Sequence, residues 1–280
     1  MPIYDTPTPI DLAINLPFGE IEVIAGNRAD TVVTVSPTNQ AKAVDRRGAE
    51  ETTVDFDGER LTITGPKPRF SILGPYESID VRIEVPAGSR LTAEIGGGVR
   101  TIGRLGATRI KSGLGGVEVE DAGDVWIRAG HGSVTINTAT GDVEITADHG
   151  QIRIGTVDGE AILKASHGNV TVGQSGGDLD AKLSYGDLDI AKALASVFAK
   201  TAYGSIALAE VTSGSIQVES GYGRLTIGVQ AGIPAWLDLA SQNGHVRNEL
   251  QGERAPDASE QTVAVRARTE YGDIRIQRAR

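Results

Sequence analysis

A glycine followed by a short alternating strand recurs at a fixed beat along this chain. Six dipeptides mark it: His131-Gly132, His149-Gly150, His167-Gly168, Tyr185-Gly186, Tyr203-Gly204 and Tyr222-Gly223. The first five fall at a constant interval of eighteen, and the sixth comes one position late. A second series, Gly123, Gly141, Gly159 and Gly177, runs half a period out of phase, with Gly214 slightly slipped. A period this regular is the mark of a solenoid, in which each repeat is one coil stacked on the last.

The module reads Gly-x-φ-x-φ, where φ is aliphatic: Val134 and Ile136, Val143 and Ile145, Ile152 and Ile154, Val170 and Val172, Leu188 and Ile190. Side chains alternate along a strand, so the two φ positions share the inner face and the x positions the outer one. Two modules per period predict two strands per coil, closing into a flattened tube. A left-handed hexapeptide helix has coils of the same length but would place aliphatics at every sixth position. About seven coils fit between Gly98 and Gly228 at this spacing. Lys192 to Lys200 lacks the glycine, yet Val197 and Ala199 stay in phase, so the coil is expected to persist.

The expected fold class is all-β: a single-stranded β-solenoid, or β-helix, preceded by an irregular antiparallel β region. Three parts are expected: residues 1–90 as an N-terminal β region and cap, 91–228 as the solenoid, and 229–280 as C-terminal coils and cap. In the first part strands are expected at Asp11 to Leu16, Gly19 to Ile24, Thr31 to Val35, Leu61 to Thr64 and Ser78 to Val85. Ala41 to Glu51 is polar and is expected as a short helix or loop. Gly65-Pro66, Pro68 and Gly74-Pro75 are breaks, and Glu253 to Gln261 reads as a polar loop. Thr262 to Val265 and Tyr271 to Ile276 read as the final strands. Bare solenoid ends invite polymerisation, so both terminal parts are expected as caps.

The repeated modules, Asp30 to Val33, Ala235 to Leu239 and the ending Val265 to Ile274 resemble actinobacterial β-strand-repeat proteins of a family labelled putative adhesin. The resemblance spans nearly the whole chain. It implies a β-strand-repeat fold and adhesion, and it brings no catalytic residues with it.

Composition narrows the function classes. Glycine is 36 of 280 residues, which suits a chain with many turns. There are no cysteines, so disulfides and thiolate chemistry are excluded. The net charge of −10 argues against general affinity for nucleic acid or anionic membranes. No run is long and apolar enough for membrane insertion. Met1 to Glu20 has no basic segment followed by an apolar one, and a cytoplasmic location is expected.

Stacking turns this period into columns of side chains about 4.8 Å apart. The first column is His131, His149, His167, Tyr185, Tyr203 and Tyr222. It reads either as a strip for Zn²⁺ or another ligand, or as a structural ladder of turn residues. In the structural reading the residue before each glycine bends the chain with positive φ, as Asn243 would before Gly244. The second column is Asp124, Asp142, Glu160 and Asp178. It reads either as a Ca²⁺ site of successive carboxylates, or as solvated turn acids that discourage aggregation. Asp187 and Asp189 read as solvated surface. Trp126 occupies an outward position, as a binding anchor or covered by the N-terminal region.

No nucleophile elbow, P-loop or zincin motif occurs, and the tight modules leave few loops for a cleft. The expected function is therefore a non-enzymatic scaffold that binds proteins or itself, needing no cofactor. A metal- or small-ligand-binding protein using the His or acidic column is the alternative, and a carbohydrate-active enzyme the third.

Overall fold

The computed structural model describes residues 2–66, 77–250 and 262–279; Pro68, Gly74-Pro75 and the loop Glu253–Gln261 lie outside the described residues. The chain is all-β, and its strands coil as a solenoid with two walls. It divides into two compact units, Met1–Thr140 and Gly141–Arg280.

The first unit begins with β1 (Ile3–Asp5), β2 (Asp11–Leu16), β3 (Glu20–Gly26), β4 (Asp30–Pro37) and helix α1 (Ala43–Glu51). Next come β5 (Thr53–Phe56), β6 (Arg60–Thr64), β7 (Ile79–Pro86), β8 (Arg90–Ile95) and β9 (Gly98–Arg104). It ends with β10 (Thr108–Ser112), β11 (Val117–Ala122), β12 (Val125–His131) and β13 (Val134–Ala139). One wall runs β1-β4-β7-β3-β9-β11-β13 and the other β5-β6-β2-β8-β10-β12. Sequence order is therefore not spatial order here. The coil β2/β3 sits between the later coils β6/β7 and β8/β9, pairing parallel with both.

Part of the expected antiparallel region is thus ordinary solenoid. Only β1 on β4, β4 on β7 and β5 on β6 pair antiparallel among the described strands of this unit. The inner positions carry the reason: Leu12, Ile14, Leu61, Ile63, Val81 and Ile83 alternate inward and are buried as in the regular coils. Each such side chain contributes about 1.5–3 kcal/mol on burial. Several coil steps of this unit also run one position shorter than the beat: Leu91, Thr108 and Val125 stand in register at intervals of seventeen, as do Val117 and Val134, whereas Val99 and Val117 keep eighteen. Gly98, Gly115 and Gly132 carry the same shorter step in the sequence.

The second unit holds β14 (Val143–His149), β15 (Ile152–Val157), β16 (Ala161–His167), β17 (Val170–Ser175) and β18 (Leu179–Tyr185). These are followed by β19 (Leu188–Ala193), β20 (Val197–Tyr203), β21 (Ile206–Val211), β22 (Gly214–Tyr222) and β23 (Leu225–Val229). Its last strands are β24 (Ala235–Asn243), β25 (Val246–Asn248), β26 (Val263–Tyr271) and β27 (Ile274–Arg278). The walls run β14-β16-β18-β20-β22-β26-β24 and β15-β17-β19-β21-β23-β27-β25. Val197 and Ala199 point inward without the usual glycine, as their phase requires. The final strands of the sequence are not the final coil. β26 and β27 insert between β22/β23 and β24/β25, so the chain passes one coil position and returns to fill it.

The bends rest on glycine itself. Gly168 has φ +143°, and a Cβ there would lie 1.9 Å from the carbonyl oxygen of Gly150. No residue other than glycine has positive φ among the described residues. The His and Tyr residues before these glycines are therefore extended, not bent as expected from the sequence. Successive coils approach too closely at this corner for any side chain.

Candidate functional site: the aromatic ladder and its flanking columns

The His/Tyr column forms in the second unit as a continuous ring stack. Centroids of His149 and His167 are 4.9 Å apart and tilted by 50°. From His167 through Tyr185, Tyr203 and Tyr222 the separations are 5.1, 5.0 and 5.0 Å, with planes within 7° of parallel. The stack continues to Tyr271 at 4.8 Å, which sequence reading left out of the column. Tyr271 comes far after Tyr222 in the chain, outside the beat, and joins only because β26 inserts beside β22. The Tyr271-Gly272 dipeptide was the signal for it. Asn243 ends the column, paired with Tyr271. His131 closes β12 in the first unit.

Strand register places these rings, since each follows a strand at the same phase. The offset stack contributes beyond area burial. Its outer rim remains open: Tyr185, Tyr203, Tyr222 and Tyr271 are 46–50% exposed. Tyr222 loses water to its neighbours and has Tyr271, Tyr203 and Glu270 beside it. These effects, desolvation first, hold its phenol above the ordinary tyrosine value.

The acidic column has a structural occupation. The Glu160 amide donates to Asp142 Oδ1 at 2.8 Å, and the Ser196 amide donates to Asp178 Oδ1 at 3.0 Å. Each acid thus accepts the backbone N–H at the matching position of the next coil, and this offsets the repulsion between stacked carboxylates. Glu160 itself is exposed, and Asp124 lies in the first unit. No group of three or more His, Asp or Glu residues that could hold a metal ion occurs among the described residues.

A second amide-capping column lies on the other corner. Asn169 Oδ1 accepts from the Asp187 amide at 3.0 Å, and Asp187 Oδ1 accepts from the Ser205 amide at 2.7 Å. Asp187, expected as solvated surface, is therefore a rung between coils. Asp273 does the same for the His245 amide at 2.9 Å.

Trp126 is half-buried, with the Arg109 guanidinium 3.9 Å from its ring centroid. Arg109 belongs to the paired strand β10, one coil away. Trp236 on β24 is the exposed tryptophan, at 62%.

Two solved structures are similar to the chain. One is described as a putative cell adhesion protein from Clostridium sporogenes ATCC 15579, with 11% identity, a TM-score of 0.22, and coverage of 99% of this chain and 98% of that one. The other is described as a putative adhesin from Parabacteroides merdae ATCC 43184, with 11% identity, a TM-score of 0.38, and coverage of 100% and 96%. No curated protein matches the chain. The family model described as Toastrack DUF4097 matches residues 11–280. With nearly every coil inside that match, the chain belongs to the Toastrack DUF4097 family.

Proposed function

We propose that this chain is a non-enzymatic β-solenoid scaffold that binds protein through the open end of its second unit, with a second copy of itself as the partner. The observation that carries this reading is the state of β24. Leu237 and Leu239 occupy the inward phase of that strand yet are only half-buried. One coil inward, their paired residues Val265 and Ala267 are fully buried. The terminal coil is therefore a core layer without a cover among the described residues.

β24 and β25 are also the last strands of their walls, so their outer backbone groups face away from the stack. A nine-residue edge strand is a template for strand addition. Antiparallel pairing of β24 with β24 of a second copy would satisfy both edges by one two-fold axis, the commonest symmetry of homo-oligomers. It would also cover the leucines of both copies.

Light scattering across a concentration series tests this. The expected result is a dimer at high concentration that Leu239→Lys converts to a monomer without loss of the far-ultraviolet β signal. A wild-type chain that stays monomeric at all concentrations, or a dimer indifferent to Leu239→Lys and Trp236→Lys, overturns the reading.

A further inference from the structure

A different surface of the second unit has the form of a linear binding groove. The outer face of the wall formed by β16, β18, β20, β22 and β26 carries three parallel columns. The aromatic ladder is one of them. Three positions before each ring stand Lys164, Lys182, Lys200, Glu219 and Arg268, held in register by the strand pairing. Between these two columns lie Ser166, Ser184, Ala202 and Gly221, one per coil and all small.

Small side chains between a row of long cations and a row of rings leave a trough. Beside Tyr203, Tyr222, Ala202, Gly221 and Lys200 it reaches a volume of about 710 Å³. Acidic residues mark both limits of the small-residue floor. Asp148 takes the floor position next to Ser166, and Glu270 takes it next to Gly221. Those two carboxylates repel an acidic chain at either limit, so the four coils between them are its favoured stretch.

The cations are available. Lys182 shares its charge with Asp180 at 3.0 Å and Lys200 with Glu219 at 3.1 Å, both pairs solvent-exposed and so weak. Lys164 has no ion-pair partner among the described residues. A run of three stacked lysines is a local reversal of charge on a chain of net −10. Lysines this close repel one another, and a polyanion laid along them relieves that repulsion.

The spacing selects among polyanions. The ladder repeats every 4.8–5.1 Å. An extended peptide advances about 3.3 Å per residue and loses phase with the coils within two steps. A 1,4-linked chain of sugar rings advances by close to one coil per ring. Its hydroxyls meet the tyrosine and serine hydroxyls, its C–H faces meet the open halves of the rings, and the carboxylates that the chain turns toward this wall meet lysines, which stand on three of the four coils. We infer that the trough beside the aromatic ladder binds a linear acidic polysaccharide, a polyuronate, with one sugar per coil over four coils. The widest part of the trough also includes Ala240 and Gln242 of β24, but the trough does not require the self-association proposed above.

Titration calorimetry of the whole chain with oligogalacturonates of two to eight sugars tests it. Affinity is expected to rise with length up to four sugars and then level off. It is also expected to fall steeply with salt. Cello-oligosaccharides of equal length, which are neutral, are expected to bind at least about tenfold more weakly, a difference of about 1.4 kcal/mol. The double variant Lys182→Gln/Lys200→Gln changes only outward side chains, and should lower affinity by a similar factor with its melting temperature retained. Tyr203→Ala should weaken binding of all sugars, and Tyr203→Phe less so. No heat with any oligogalacturonate overturns the inference, as does binding unchanged in the double lysine variant. Equal affinity for hexaglutamate also overturns it, and would reassign the trough to an acidic peptide.

Discussion

The two units close their outer coils in different ways. In the first unit the outermost coil β6/β7 is as dry as any other: Leu61, Ile63 and Ile79 are fully buried. Antiparallel β4 and β5 take up the outer edges, and α1 packs against β4 and β7. What remains as edge is β1, three residues long, on one wall and β5, four residues long, on the other. The ring of Tyr4 on β1 lies 5.0 Å from that of Phe56 on β5, tilted by 46°, joining the last strands of the two walls. In the second unit the outermost coil is parallel β24/β25, nine and three residues long, with Leu237 and Leu239 half-buried. Reversing strand direction lets the chain fold back over an open end. A parallel last coil leaves a copy of the same edge it was built on.

The largest test of that difference compares two leucines at the same inward phase. Leu61→Ala in β6 removes a fully buried side chain and is expected to cost about 2–5 kcal/mol of stability. Leu239→Ala in β24, half in solvent as a monomer, is expected to cost about 1 kcal/mol or less. Urea unfolding at low protein concentration measures both. Equal costs would show that the second end is covered as well as the first, and the contrast would fall.

The coils themselves were legible in the sequence because stacked strands repeat their pattern locally. Val170, Val172, Leu188 and Ile190 announce their phase, and the structure buries all four. The interleaving at the ends was not legible. Nothing in Ile274 or Leu237 says which coil lies nearer to Leu225, since all carry the same inward pattern; only long-range pairing decides it. Tyr271 was missed for that reason. The roles of Asp142, Asp178 and Asp187 were hidden differently. Their outward phase was visible, but the amide that each accepts belongs to the next coil and appears only once coils are in register.

A smaller effect sharpens the comparison through charge. Asp11 on β2 lies between arginines of two coils, Arg90 on β8 and Arg60 on β6. Arg90 chiefly, then Arg60, holds its carboxyl below the ordinary aspartate value. Asp238 on β24 is held down by Arg268 at 2.6 Å, then Arg266 at 3.1 Å, both from β26 alone. Both folded values are depressed. The stabilisation is therefore present above the unfolded value, about 3.9, and is lost as pH falls through the folded one. Asp11→Asn and Asp238→Asn should each flatten the acid limb of a melting-temperature profile. At neutral pH Asp11→Asn should lower the melting temperature more, because it loosens contacts on both sides of an inserted coil. A larger drop for Asp238→Asn would mean that the second end depends more on charge than the first.

The smallest effect lies at the alkaline limb and concerns only the second unit. Tyr222 titrates above the ordinary tyrosine value because neighbouring rings remove water from its hydroxyl, with Tyr271 the first of its charged-state neighbours. Between the unfolded value of about 10 and the raised folded one, the folded chain keeps a proton that the unfolded chain has lost. Stability therefore declines as pH rises through that window. Tyr271→Ala takes away both a cover and a neighbour, so Tyr222 should titrate closer to the ordinary value and the decline should become shallower. Ultraviolet titration of the phenolate, difference-matched between wild type and variant, reads the shift directly. Because Tyr271 reaches the ladder only through the insertion of β26, an unchanged titration would mean that β26 does not lie against β22. The interleaved closure of the second unit would then be wrong, and with it the contrast between the two ends.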